Sequence, residues 1–395
     1  MRFLIFSYLL LSTISAYSQG MTPIRELPTI DFATAISKEK IEFDFHGEFD
    51  LWYYRPQQSW VDENFSIFTF NLIGDAVYQE TGFHSELRVS DTWYRGFYLS
   101  NVWFQEIYLY YKQPHYIFKV GKEYTHFGRF WDGSYYGNVM YFDGLKLSPD
   151  AGFSFEGDFA NTHGYKLNYY LQYFVIDGTT NGSLDNNSQP GEGGPGGAQL
   201  GSGAPLVGAD IPANYNISGR DTISIPSSHR RNTTIARVVP TFDIAGGELQ
   251  LGLNYEYLLA DIEPAGFFGP RRVNVNRNAV DLTYTRGPFM IFFEHAHQHG
   301  QSVVDYPIPQ DASVRVDYNW TGLSYKHDKI IYYYNYSEAF YRTQNVHEVT
   351  QIPGFSYSFK KYLTAAFEYG YWYRETGPTF HMNDNSLNFY LRAAM

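Results

Sequence analysis

The sequence contains no cysteine, which excludes a disulfide scaffold, an iron–sulfur protein and a thiol-based enzyme. Basic charge is also scarce: 29 Lys and Arg stand against 41 Asp and Glu, for a formal net charge of −12 and a sequence pI near 5.4. A protein that tracks nucleic-acid phosphates is therefore not expected. Long hydrophobic runs are missing too. Past the N-terminal stretch, nothing is long and apolar enough for a transmembrane helix, and a mean hydropathy of −0.36 is too polar for a helical membrane bundle. What the chain has in abundance is aromatic: 37 Tyr and 32 Phe, with an aromatic share of 19% over 395 residues. So many rings in a chain that is hydrophilic on average exceed what a soluble core needs.

The chain opens Met1-Arg2, runs apolar from Phe3 to Ile14, and reaches Ala16-Tyr17-Ser18 before Gln19. A basic start, a short apolar core and small residues at the cleavage positions predict a secretory signal peptide over 1–18. The apolar stretch is too short to span a bilayer as an anchor. Residues 19–40 read as a polar lead-in on the periplasmic side, and an exported chain without cysteine fits passage through the periplasm unfolded.

From Ile41 onward the pattern has period two. Ile41, Phe43, Phe45, Phe49, Leu51 and Tyr53 alternate with Glu42, Asp44, His46, Glu48 and Asp50, a separation of greasy and charged faces that a helix cannot produce at this spacing. Tyr165, Leu167, Tyr169, Leu171, Tyr173 and Val175 oppose Lys166, Asn168, Tyr170 and Gln172. Leu249, Leu251, Leu253, Tyr255 and Tyr257 oppose Gln250, Asn254 and Glu256. Leu363, Ala365, Phe367, Tyr369, Tyr371 and Tyr373 oppose Thr364, Glu368 and Arg374.

Tight turns are marked at 79–82, 113–115, 161–164, 244–247, 286–288, 327–329 and 360–361. Longer connections lie near 55–64, 94–100, 124–150, 177–230, 261–276, 300–312, 343–352 and 375–384. The two kinds alternate strictly, which predicts sixteen strands with both chain ends on the tight-turn side. This asymmetry and the even count describe an all-β fold, a transmembrane antiparallel β-barrel over 41–395. Strands of about 9–11 residues cross a bilayer when tilted, and closure pairs every backbone group that lipid leaves unpaired. Outward rings then meet lipid, while a water-filled lumen keeps the other face polar. A soluble sandwich or propeller would not show this turn asymmetry.

The segment 45–51, Phe-His-Gly-Glu-Phe-Asp-Leu, is similar to the opening strand of general Gram-negative porins. Val120-Gly121-Lys122-Glu123-Tyr124-Thr125-His126-Phe127-Gly128 resembles their fifth strand, with Lys122 where Arg is more usual. Residues 141–154, Tyr-Phe-Asp-Gly-Leu-Lys-Leu-Ser-Pro-Asp-Ala-Gly-Phe-Ser, resemble the sixth. Leu387, Phe389, Leu391 and Ala393 resemble the outer-membrane assembly signal, from which Met395 departs by replacing the usual aromatic. Phe127-Gly128 with Trp131, and Phe142-Asp143-Gly144-Leu145, also resemble alginate-export and other substrate-specific channels of eighteen strands. If 139–147 and 151–160 were separate strands, that count would apply here.

The porin resemblance implies an outer-membrane location, insertion by the barrel assembly machinery through the last strand, and contact with outer-membrane lipid and lipopolysaccharide. It also implies a homotrimer and a constriction loop, here about 124–150. Passive diffusion of small hydrophilic solutes and ions is the expected function, with no cofactor. Selectivity in a pore comes from diameter and from charge at the narrowest point. Glu123, Arg129, Asp132 and Asp143 are placed at the loop edge. Arg88, Arg315, Arg374 and Arg392 face them by inward phase, and the resemblance makes this a transverse field across the eyelet. The acidic balance predicts a mild cation preference. The alternative within channels is a substrate-specific one, for oligosaccharides or organic anions, with Trp103, Trp131, Tyr135 and Tyr136 as a stacking track.

Other motifs carry less. His295, His297 and His299 share one strand face, but a polar strand end running into a loop explains them better than a metal site. Gly191, Gly193 and Gly196 spell a G-x-G-x-x-G without the strand and helix a dinucleotide needs. They belong to a Gly-rich external loop, 177–230. No G-x-S-x-G motif supports an enzyme, and an outer-membrane enzyme or adhesin is the remaining alternative outside channels.

Overall fold

The computed structural model describes residues 41–56, 65–90, 102–129, 150–160, 165–176, 228–262, 271–301, 313–342, 345–360, 362–376 and 380–394. The signal peptide and the lead-in up to residue 40 lie outside them. In chain order the strands are β1 (Glu42–Pro56), β2 (Phe65–Tyr78), β3 (Thr81–Ser90), β4 (Val102–Gln113), β5 (Tyr116–Glu123), β6 (Asp150–Ala160), β7 (Lys166–Ile176), β8 (Ser228–Ile244), β9 (Gly247–Ile262), β10 (Arg271–Arg286), β11 (Phe289–Gln301), β12 (Ser313–His327), β13 (Ile330–Tyr341), β14 (Val346–Lys360), β15 (Leu363–Thr376) and β16 (Phe380–Ala394). Each pairs with its neighbours in sequence, and β1 pairs with β16, so the sheet is a closed barrel of sixteen strands. Sixteen, not eighteen, is the count: β5 pairs directly with β6 from Glu123↔Asp150 to Tyr116↔Gly157. Closure runs from Glu48↔Ala394 to Pro56↔Ser386. The N-terminal end of β1 and the C-terminal end of β16 both lie on the tight-turn rim, as Glu42↔Val77 and the bond from Ala394 N to Tyr362 O show.

Local chemistry sets the turns. Ala245 and Gly246 both have positive φ, 52° and 74°, the two-residue geometry whose twist matches paired strands. Two connections are shorter than their polarity predicts. β13 ends at Tyr341 and β14 begins at Val346, and β15 ends at Thr376 with β16 beginning at Phe380, so most of 343–352 and 375–384 is strand. Above the lipid both sheet faces are wet. A strand there needs no apolar residues, and polarity stops marking its end.

The alternation is that of a barrel in lipid. Phe43, Phe45, Leu109, Val120, Leu171, Leu253, Ile291 and Leu323 are exposed on the outer face. Asn71, Glu86, Lys119, Gln172, Glu256, Arg277 and Glu294 are buried within the ring. Rings collect beside the tight turns, where Phe289 lies 4.7 Å from Tyr325 and Phe159 lies 5.4 Å from Tyr169. That placement is the interfacial girdle expected of a membrane barrel.

Two paired glycines, Gly121 of β5 and Gly152 of β6, sit where the backbones of neighbouring strands come close. A Cβ on Gly121 would press on Ile107 O and Tyr108 Cα of β4, and one on Gly152 on Tyr173 O and Phe174 Cα of β7. Gly121 also has φ of +148°, which other residues rarely adopt. Bulges flank the pair, at Glu86/Leu87 in the β3–β4 ladder and at Ala151/Gly152 in the β6–β7 ladder.

Candidate functional site

β5 has only 8 residues where β8 has 17, so the chain leaves the wall at Glu123 while its neighbour β4 continues to Val102. Residues 124–129 turn into the lumen. Tyr124 is 1% exposed, Phe127 2%, and Thr125 and His126 4% each. Irregular backbone at this depth must find partners, and inward side chains supply them. Gln172 of β7 holds the segment twice: its Nε2 donates to Tyr124 O (2.9 Å), and its Oε1 accepts from His126 N (2.6 Å). Asn254 Oδ1 of β9 accepts from Gly128 N at 3.0 Å. Glu294 Oε2 of β11 accepts from Arg129 N at 2.7 Å. The acceptors come from alternate strands, so the segment crosses from β5 to β11 inside the ring.

Each end of the segment is fixed by an arginine. At its start, Arg88 Nη2 of β3 donates to Tyr124 OH (2.6 Å) and Arg88 Nε to Glu86 Oε1 (2.7 Å). The β4 bulge aims Glu106 inward beside Gln105, and Glu106 Oε1 accepts from Tyr124 N at 3.2 Å. At its far end, Arg129 Nη1 donates to Thr283 Oγ1 of β10 (2.5 Å), and the guanidinium lies 4.2 Å from the centre of the Phe292 ring.

The wall beneath is a set of charge pairs. Arg237 of β8 binds Asp281 of β10 through both oxygens (2.7 and 3.0 Å) and also donates to Asn254 Oδ1 (2.7 Å). Asp281 reaches Arg237 because Gly252 of β9 stands between them; a Cβ there would collide with the carboxylate. Arg277 donates to Glu256 and to Gln298, each at 2.8 Å. Nearer the loop's origin, Lys119 pairs with Glu156 (2.7 Å) and Glu123 (3.4 Å) and lies 5.0 Å from the Tyr108 ring centre. His126 stacks on Tyr170 at 4.8 Å. Burial first, then Lys119 and Arg237, holds its imidazole well below the ordinary histidine range, so the ring is neutral.

Of the residues singled out by sequence, Glu123, Arg88 and Arg129 lie at this segment, the first two near Tyr124 and the third at the opposite end. Arg392 points inward over Tyr390 (5.4 Å), but it is the third residue from the end of β16, beside Thr364 at the tight-turn rim. The inward phase assigned to Arg315 does not hold. It shares the outer face of β12 with Leu323 and Tyr325, near the opposite rim, while Trp320 and Ser324 turn inward. Outer-face residues at that height, His297 and Asp317 among them, are polar as well, so polarity there does not report phase. Arg374 pairs with Glu348 and Met382 in the ladder, and Trp103 with Arg88; both side chains lie outside the described residues. Asp132, Asp143, Trp131, Tyr135 and Tyr136 also lie outside them, as does 177–227 with its glycine motif.

The histidine trio is on the outer face at the loop-side end of β11, where His295 Nδ1 meets Asn319 Oδ1 at 2.8 Å and His297 Nδ1 meets Asp317 Oδ1 at 2.6 Å. Among the described residues no group of three His or acidic side chains is arranged to hold a metal. Sequence reasoning missed Arg237, Arg277, Asp281 and Glu294. Their neighbours Gln172, Asn254 and Glu256 were already on the polar face, but nothing in one strand shows which inward residues meet.

The sequence matches no protein-family model and no curated protein. Solved structures do resemble the barrel. The anion-selective porin from Comamonas acidovorans superposes with a TM-score of 0.58 at 9% identity, covering 90% of this chain and 100% of that one. The outer-membrane expressed OmpT of Vibrio cholerae gives 0.55 at 12% identity over 91% and 100%. The outer membrane channel DcaP of Acinetobacter baumannii gives 0.54 at 10% identity over 91% and 99%. The fold is the sixteen-stranded barrel of outer-membrane porins.

Proposed function

We propose that the protein is an outer-membrane porin, passing small hydrophilic solutes and ions down their gradients through a lumen narrowed by residues 124–129. The observation that carries this reading is that segment: irregular backbone held inside a closed barrel by acceptors from β7, β9 and β11. A barrel that served only as an anchor needs no such crossing. The inner wall is charged and hydrogen-bonded, as a wet channel requires. Fold does not fix function; the seat inside the lumen is the stronger argument.

A mild cation preference follows from the balance of inward charge. Glu48, Glu86, Glu106, Glu123, Glu256, Asp281, Glu294 and Glu368 are among the buried carboxylates, against Lys112, Lys119 and Arg277 among the buried cations, with Arg88, Arg129, Arg237 and Arg392 offsetting part of the excess. A trimer form of the Vibrio cholerae OmpT barrel exists, and the same assembly is proposed here, reached after export and insertion through β16. Refolded protein in a planar bilayer should give stepwise conductance, and a KCl gradient should give a reversal potential of cation-preferring sign. Absence of steps would overturn the channel reading; an anion-preferring sign would overturn the selectivity alone.

A further inference from the structure

The segment inside the lumen carries one ionisable ring at its middle. His126 is 4% exposed, stacks on Tyr170 of β7 at 4.8 Å and 23°, and donates its backbone N–H to Gln172 of the same strand. The charges acting on it from the surrounding strands are cationic: Lys119 of β5 and Arg237 of β8. The neighbouring carboxylates are engaged with those cations, Glu156 of β6 and Glu123 with Lys119, and Asp281 of β10 with Arg237.

We propose that His126 makes the seating of residues 124–129 acid-sensitive: when the imidazole takes up a proton, the segment leaves its seat on β7–β11 and the lumen changes cross-section. Only the consequence for flow rests on the porin reading; the release itself does not. A protonated ring in the seat would be a third cation beside buried Lys119 and half-buried Arg237, and among the described residues the carboxylates near it are those already paired with these two. Desolvation and like charge both oppose that form, and the seated ring is accordingly held well below its ordinary value. A released ring titrates near the ordinary histidine value of about 6.5. Above that pH both forms are neutral and the seat is at full strength. Below it, release is accompanied by proton uptake, so seating weakens as pH falls. Linkage makes release about 30-fold more favourable at pH 5 than at pH 7.5.

Because the chain has no cysteine, Thr125→Cys in the full-length, detergent-folded protein reports release as reaction with a thiol reagent. The same substitution with His126→Phe, which keeps a stacking ring, is the comparison. The ratio of the two labelling rates cancels the intrinsic pH dependence of the thiol. It should be steady above pH 7 and rise about 30-fold by pH 5. A ratio unchanged from pH 7.5 to pH 5 overturns the proposal. His126→Gln, also without a titrating ring, must behave as the Phe variant does, and an acid-driven rise in it would equally overturn it. Labelling requires no ion flow, so a failure here is distinct from a failure to conduct.

Discussion

Three side chains of β7, β9 and β11 bind the backbone of residues 124–129 along its crossing, and they do not contribute equally. Glu294 offers a charged acceptor to Arg129 N at 2.7 Å, Gln172 makes two neutral bonds, and Asn254 makes one neutral bond at 3.0 Å. A hydrogen bond to a charged group contributes about 1.5–3 kcal/mol and a neutral one about 0.5–1.5. Replacing each acceptor by leucine should therefore release the segment most in Glu294→Leu, comparably in Gln172→Leu, and least in Asn254→Leu. At about 1.4 kcal/mol per tenfold, the Glu294 variant should raise the unseated population by roughly 10- to 150-fold. With Thr125→Cys as reporter at constant pH, labelling speeds up by that factor wherever reseating outruns the reagent. Asn254 also binds Arg237 and Asp281, so its variant should lose more global stability than its labelling rate suggests. Equal labelling in all three variants and the parent would refute the claim that these side chains hold the segment.

Gly252→Val should push Asp281 away from Arg237 and lower barrel stability by about 3 kcal/mol, the low end for breaking a buried pair, read as a fall in the urea unfolding midpoint; an unchanged midpoint would show that Gly252 has no such role. Arg88→Gln removes the cation beside Glu86, so the KCl reversal potential should move toward stronger cation preference, and a shift the other way would contradict the placement of Arg88 in the lumen. Gly121→Ala and Gly246→Ala form a contrast between two positive-φ glycines. Gly246 has open space around it and should lose only about 1–2 kcal/mol for the left-handed backbone. A Cβ at position 121 would also press on the backbone of β4, so the Gly121 variant should refold in much lower yield.

The sequence shows which way a residue points better than it shows where along the pore it lies. Lipid imposes apolar character on one face, so Leu249, Leu251 and Leu253 mark the outside of β9 and Gln250, Asn254 and Glu256 its inside, as found. Where lipid ends that constraint ends, and Arg315, beside His299 in the ladder, could not be phased by polarity. Height depends on register between strands, which no single strand encodes: Arg315 and Arg392 lie near opposite rims, although both looked like candidates for one ring. The central pairing is harder still, because Arg237, Asn254 and Asp281 sit on three strands. It becomes readable once pairing is known, through glycine. An inward glycine leaves the groove between its neighbours open, so a side chain on one side can lie flat and reach the other. Gly252 admits Asp281 toward Arg237 in this way. Gly354 of β14 does the same on another part of the wall, where the Tyr333 ring lies over it and Tyr333 OH donates to Glu368 of β15 at 2.8 Å. An inward glycine opposite a polar residue is thus a signal for an interaction that spans three strands, and it would have directed attention to Asp281 and Arg237.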